Sequence, residues 1–308
     1  MLSAIHFILL NGLAAATAWG AARAAFGGGE FWRRTLAGMI AFALVIEAAA
    51  LVVGTTLGLS PFVLEAFLVI AAALSWLAAR RAHPAPSPRA AAAGDASPVW
   101  TVLAAGLLGA AAGAWAGVSL FDGTRFSIDD LTYHAAVPAR WLQEGRIHLV
   151  PFTYQSYYPH NSELLTLWFT LPFDGDALAS LGFLWGAAVL ALAAFGLTRR
   201  LGGSTTAALL AAALVACSGV PLLSLGGFAR ADLIGAAAAM AGLALAGPRA
   251  ADLVIAGLAI GYAAGCRVSF ATVLPCVMIG LVVEFRGAGE RARLLRGLAI
   301  LAGAAMLA

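Results

Sequence analysis

Two adjacent carboxylates, Asp129 and Asp130, open the stretch "SIDDLTYHAAVPARWLQEGRI" at 127–147. Like charges side by side cost energy unless a cation, a proton or a hydrogen-bond network compensates, so the pair suits acid–base chemistry or metal binding. A plainer reading competes with this one. A carboxylate at the start of a helix accepts from the free backbone N–H groups there, which accounts for one aspartate but not for two. His134 lies in the same stretch, and Tyr158, His160 and Glu163 follow in "YQSYYPHNSELLTLWFTLPF" at 154–173. This tyrosine-rich turn is either an aromatic anchor at a membrane surface or the wall of a carbohydrate or headgroup site.

These residues stand out because little else in the chain is polar. Of 308 residues, 62% are hydrophobic and 11% charged, against about 25% charged in soluble domains, which marks a polytopic membrane protein. Segment 121–176 holds Asp122, Asp129, Asp130, Glu144, Glu163, Asp174 and Asp176, with His134, His148 and His160. Every basic residue is arginine, and a net charge of +3 over so much apolar sequence carries no nucleic-acid signal. Cys217, Cys266 and Cys276 fall in or beside apolar runs without metal-ligand or C-x-x-C spacing, and read as small buried hydrophobes.

A helix needs about 20 mainly apolar residues to cross the hydrocarbon. That criterion predicts spans near 3–22, 35–59, 61–79, 99–120, 177–198, 204–224, 230–247, 252–266, 268–285 and 294–308, an all-α protein of about ten transmembrane helices. The N-terminal run lacks a basic segment ahead of it and reads as a retained span, not a cleaved signal peptide. Gly257, Gly261 and Gly265 would let the short 252–266 span pack closely or break. The chain stops inside its last span, which reads as a fragmentary C-terminus.

Arginine clusters follow spans one, three, five, seven and nine. With ten alternating crossings they share one side, which the positive-inside rule makes cytoplasmic. The large 121–176 segment then lies outside, carrying short amphipathic helices at the interface. Leu131, Ala135, Val137, Pro138, Trp141 and Leu142 form the apolar face of one, with Tyr133 and Trp141 at headgroup level. Three units are expected: a three-span piece at 1–79, a Pro/Ala linker at 80–98, and a membrane core at 99–308. Glu47 and Glu65 lie inside spans two and three. At such depth an ionised carboxylate is costly, and a neutral or hydrogen-bonded group is expected.

The stretch "DDLTYHAAVPARWLQEGRI" followed by "YYPHNSELLTLWF" resembles the polyprenyl-phosphate-dependent membrane glycosyltransferases of the GT-C superfamily. "FARADLIGAAAAMAGLAL" and "GLAIGYAAGCRVSFATVLP" are similar in style to two later motifs of that family, so the likeness covers roughly 100–285. The chain departs from the family in having three extra spans before the loop, where the family usually begins with one, and in ending early. The resemblance implies sugar transfer, with inversion, from a polyprenyl-phosphate-linked donor to a lipid, glycan or protein acceptor at the outer face of the membrane, and the Arg-for-Lys and Ala-rich usage suggests a bacterial plasma membrane. In that setting Asp129 would be the general base, with Asp130 assisting or holding a divalent cation (Mg or Mn). Arg230 or Arg267 would hold the leaving phosphate, since arginine binds phosphate through paired charge-assisted hydrogen bonds. His134, Tyr158, His160, Glu163 and Asp232 would contact sugar or acceptor; Asp232 could instead cap its helix or pair with Arg230. A transporter or flippase is the competing class, suited by many spans, glycine-broken helices and Glu47. A non-catalytic member of the same family is the third.

Overall fold

A computed structural model describes residues 1–26, 30–82, 97–121, 128–151, 154–173, 175–176, 178–219, 230–284 and 291–308. Among these the chain is all-helical, with twelve α-helices and no strand. They are α1 (Leu2–Phe26), α2 (Phe31–Thr56), α3 (Pro61–Arg81), α4 (Pro98–Phe121), α5 (Ala136–Glu144), α6 (Asn161–Thr170), α7 (Leu181–Arg200), α8 (Thr205–Ala216), α9 (Arg230–Leu245), α10 (Ala250–Cys266), α11 (Val273–Glu284) and α12 (Arg291–Ala305). A helix stands at each of the ten expected positions. Five of them, α1, α2, α3, α4 and α7, are long and apolar enough to cross a membrane, while α8 to α11 are shorter apolar helices.

Local chemistry sets the ends. Pro61 begins α3, where its missing N–H leaves no bond unmade. The Ser204 hydroxyl accepts from the Ala207 N–H at 3.1 Å and caps α8. Gly145, at φ 65°, closes α5 in the left-handed conformation that favours glycine.

One continuous apolar core runs through α1, α2, α6, α7, α9 and α10, from Leu10 and Leu36 to Trp168, Phe183, Leu233 and Ala263. The N-terminal helices therefore share their core with the later ones. Helix α10 remains unbroken, and its glycines serve close packing. A Cβ on Gly257 would strike the backbone of Leu301, and one on Gly261 that of Ala305. Close approach through small residues is how helices associate where no hydrophobic difference exists between protein and lipid.

Contacts at the helix ends bring several arginines together. At one end, Arg33 from the start of α2 reaches Asp252 at 2.9 Å and the Leu245 carbonyl at 3.2 Å. Arg249 makes a bidentate pair with the same aspartate, through Nη2 at 2.7 Å and Nε at 3.0 Å. Arg200 donates to the Leu243 carbonyl at 2.6 Å, and Arg23 lies over the Trp76 ring. The arginines that follow separate spans in sequence thus meet at one end of the bundle. Segment 128–176 occupies the other.

Two expectations about that segment are corrected. Trp141 is not at headgroup level. It is 3% exposed, packs with Val137, Val150, Leu164 and Leu167, and donates its indole N–H to the His148 carbonyl at 2.7 Å. Helix α6 is not amphipathic, because all ten of its residues are buried. Most of its polar side chains find partners inside the protein, the buried Trp168 indole N–H having none among the described residues: the Asn161 amide donates to the carbonyls of Tyr262 at 3.3 Å and Ala308 at 3.2 Å. The hydroxyls of Thr166 and Thr170 return to the helix's own carbonyls.

The cysteines differ from expectation as well. Cys266 is buried, but Cys217 and Cys276 are exposed, and all three are free thiols. Among the acids in the spans, Glu65 meets His6 Nδ1 at 2.7 Å, while Glu47 Oε2 is buried with no hydrogen-bond partner among the described residues.

Candidate active site

The aspartate pair does not cap α5. That helix starts at Ala136, with Ala135 at its N-cap and no side-chain cap bond, because a π-helical turn at Asp130–His134 intervenes. The wider turn shifts the register between Asp129 and α5, as such turns commonly do at functional sites. The Thr132 hydroxyl donates back to the Asp129 carbonyl at 3.0 Å. Asp129 itself is exposed. The side chains of Asp130 and Arg230 lie outside the described residues, so their expected roles have no geometry here.

Two main-chain hydrogen bonds fix the loop to the α2–α3 hairpin. The Leu59 N–H donates to the Gly145 carbonyl at 2.7 Å, and the Ile147 N–H donates to the Gly54 carbonyl at 2.9 Å. Within the loop itself, Glu144 bridges Arg140 and His148, each at 2.5 Å.

Between the π-helical turn, the start of α6 and the facing ends of α9 and α10 lies a cavity of about 810 Å³. Asp129, Tyr133, His134, Tyr158, Glu163, Asp232, Cys266 and Arg267 line it. Of the nine expected site residues, six are therefore brought together. His160 is adjacent and half-buried, edge-on to the Trp141 ring at 5.5 Å. The Tyr133 and Tyr158 rings meet edge to face, 6.4 Å apart.

Two ion pairs organise the polar wall. Arg267, at the C-terminal end of α10, pairs with Asp232 in the first turn of α9. Asp232 thus has a partner in Arg267, 35 residues away in sequence. Both groups are partly exposed, at 58% and 37%, so water screens the pair. The hydrogen bond to Asp232, with its charge, pushes the guanidinium pKa further up.

The second pair is hidden. His134 Nδ1 bonds Glu163 Oε1, the Ser162 hydroxyl donates to Oε2 at 2.8 Å, and His160 Nδ1 lies 3.6 Å from Oε2. The Glu163 side chain is 2% exposed. Burial alone would push its carboxyl up. The hydrogen bond from His134 and the adjacent imidazole of His160 outweigh it and hold the carboxyl down, at about 2. For Tyr133, burial and then the charges of Asp129 and Glu163 push the phenol up, so it stays a neutral hydrogen-bond donor.

A pH dependence follows from Glu163. Its folded-state pKa is depressed below the ordinary 4.5, so its contribution to stability is complete above that value and is lost as pH falls toward about 2. The midpoint of thermal unfolding of the detergent-solubilised protein should fall between pH 5 and pH 3, in the range given by that depressed carboxyl. Glu163→Gln should flatten this part of the curve. An unchanged curve in the variant would show that the carboxylate is not ionised in the fold.

Among the described residues no three His, Cys, Asp or Glu side chains converge as metal ligands. Sequence reasoning named Glu163 and His134 but not their bond, since 29 residues separate them. It missed Cys266 and Ser162, and no local signal marks either. A second cavity, of about 390 Å³, lies on another flank of α5 and α6, lined by Pro138, Leu142, Gln143, Thr166, Thr170 and Asp176 among others. Comparison with protein-family models, with curated proteins and with solved structures finds no match to this chain.

Proposed function

We propose that this chain is an integral membrane glycosyltransferase of about ten crossings. It takes a sugar from a polyprenyl-phosphate-linked donor and transfers it to a hydroxyl acceptor at the outer face of the membrane. One observation carries the reading. An 810 Å³ cavity, at the bundle end opposite the arginine cluster, gathers Asp129, Tyr133, Tyr158, Asp232 and Arg267 from separate parts of the sequence. The arginine-rich end is the cytoplasmic one by the positive-inside rule, which turns the cavity outward.

The chemistry is an in-line displacement with inversion. Asp129 takes the proton from the acceptor hydroxyl, and the acceptor oxygen bonds to the anomeric carbon. The bond from that carbon to the phosphate oxygen breaks, and its electron pair stays on the phosphate. Arg267 faces the resulting negative charge, and the tyrosine faces give the sugar an apolar wall. Asp130 assists Asp129.

The test uses proteoliposomes supplied with polyprenyl-phosphate donors carrying radiolabelled sugars and with membrane lipid and glycan extracts as acceptors. Label should move to the acceptor fraction as polyprenyl phosphate appears. Glu47, half-buried in α2 with one buried oxygen that has no hydrogen-bond partner among the described residues, favours a flippase as the second reading. Movement of intact donor across the bilayer with no transfer would establish that reading and sink the first.

A further inference from the structure

We infer that His134 is a second cationic donor to the phosphate of the lipid-linked ligand, and that Glu163 is the positioning residue that holds it in that role. The inference rests on the transfer reading above for the identity of the phosphate, and on geometry for the rest.

A carboxylate withdrawn this far from water must have its charge matched nearby, or it costs several kcal/mol. Glu163 has two oxygens and two direct partners. Ser162 is neutral. His160, at 3.6 Å, is beyond hydrogen-bond reach. His134 is therefore the one directly bonded group able to carry a positive charge. Its Nδ1 is committed to Glu163, which fixes the ring's orientation and leaves Nε2 as its remaining donor. His134 also lines the cavity, 16% exposed, whereas the carboxylate behind it is 2% exposed.

The other pair on the wall has the same plan. Arg267 lines the cavity with Asp232 bonded to it. The two internal pairs thus present two cations, each with a carboxylate of its own, to one space. A phosphate monoester, with several anionic oxygens, accepts from both at once. Other titratable groups facing the pair are Asp129 and Tyr133 from the π-helical turn, Tyr158 and His160 from the tyrosine-rich turn, and Cys266 at the end of α10. During transfer His134 gives up no proton. Its Nε2–H donates a hydrogen bond to the departing phosphate oxygen as that oxygen receives the bonding pair, and the acceptor's proton stays on Asp129.

The test is calorimetric titration of the purified full chain with geranyl phosphate, a short prenyl phosphate, and with geraniol, its neutral counterpart. His134→Gln and Glu163→Gln should each weaken geranyl phosphate by about tenfold or more, the worth of one charge-assisted hydrogen bond, and leave geraniol unchanged. The double variant should be no weaker than His134→Gln alone, and Glu163→Asp should recover most of the affinity. Neither pattern is expected of a residue that only supports the fold. Inorganic phosphate should not compete; competition at millimolar concentration would assign the site to free phosphate and overturn the lipid-borne ligand. Should Glu163→Gln fail to fold, His134→Gln with an unchanged melting point carries the test alone. Geranyl phosphate bound as tightly by His134→Gln as by the parent overturns the inference, as does an equal loss for geraniol. Selective phosphate binding that depends on His134, without sugar transfer from any donor, would sink the transferase reading alone. Transfer that proceeds while His134→Gln binds geranyl phosphate normally would sink this inference alone.

Discussion

Asp129→Asn is expected to reduce sugar transfer by about 10²–10⁴-fold, the range for removing a general base, while insertion and melting temperature stay near those of the parent. The substitution keeps size and hydrogen-bonding shape but removes the atom that accepts the proton. Asp129 is exposed at the cavity, so the fold loses little with its charge. Glu163 cannot take over. Its oxygens are engaged by His134 and Ser162, and a carboxyl held down at about 2 is a weak base. The assay is initial-rate transfer from a labelled polyprenyl-phosphate donor, with the variant's amount in the membrane measured in parallel. Turnover within tenfold of the parent would remove Asp129 from the reaction.

Asp252→Ala is expected to be among the most damaging single changes for stability, at about 3–5 kcal/mol, the cost of breaking a buried ion pair by deleting one partner. The aspartate is 1% exposed and receives both Arg33 and Arg249. Removing it leaves two guanidinium groups, 16% and 24% exposed, without the charge that accompanies them into the protein. It also unties the start of α2 from the start of α10. Asp252→Asn keeps the shape and one acceptor, so its loss should be smaller. Thermal unfolding followed by fluorescence-detected size exclusion reads both. A melting point for Asp252→Ala within a degree of the parent would mean that the pair stabilises nothing.

Much of this architecture is legible in the sequence because a bilayer sets the length of an apolar run, and the runs here are separated by arginine or by turn residues. The ten helical positions follow from that alone. The meeting of Arg33, Arg200 and Arg249 at one end follows from alternation. What hydropathy cannot show is which short helix of a polar segment turns inward. Helix α6 contains Asn161, Ser162, Glu163, Thr166 and Thr170, and looks half-solvated. It is wholly buried because its partners, Tyr262, Ala308 and His134, lie 101, 147 and 29 residues away. Trp141 departs from its expected place for the same reason, since an indole suits a headgroup layer and an internal carbonyl equally well. The site was legible as a set of residue types. Its pairings were not, because Asp232 had two arginines within reach of the argument, Arg230 and Arg267, and only the fold brings Arg267 to it.

The backbone clip between Leu59 and Gly145, and between Ile147 and Gly54, has a consequence for how this chain tolerates sequence drift. Amides and carbonyls are common to every residue, so the clip survives a change of side chain at Leu59 or Ile147 that still packs. The glycines beside it do not share that freedom. Gly58 and Gly145 sit at φ 92° and 65°, and a Cβ on Gly54 would press on Ile147 and Leu59. Among relatives of this chain the loop's attachment should therefore persist as a pattern of glycines around variable apolar positions, preserved where the neighbouring letters are not.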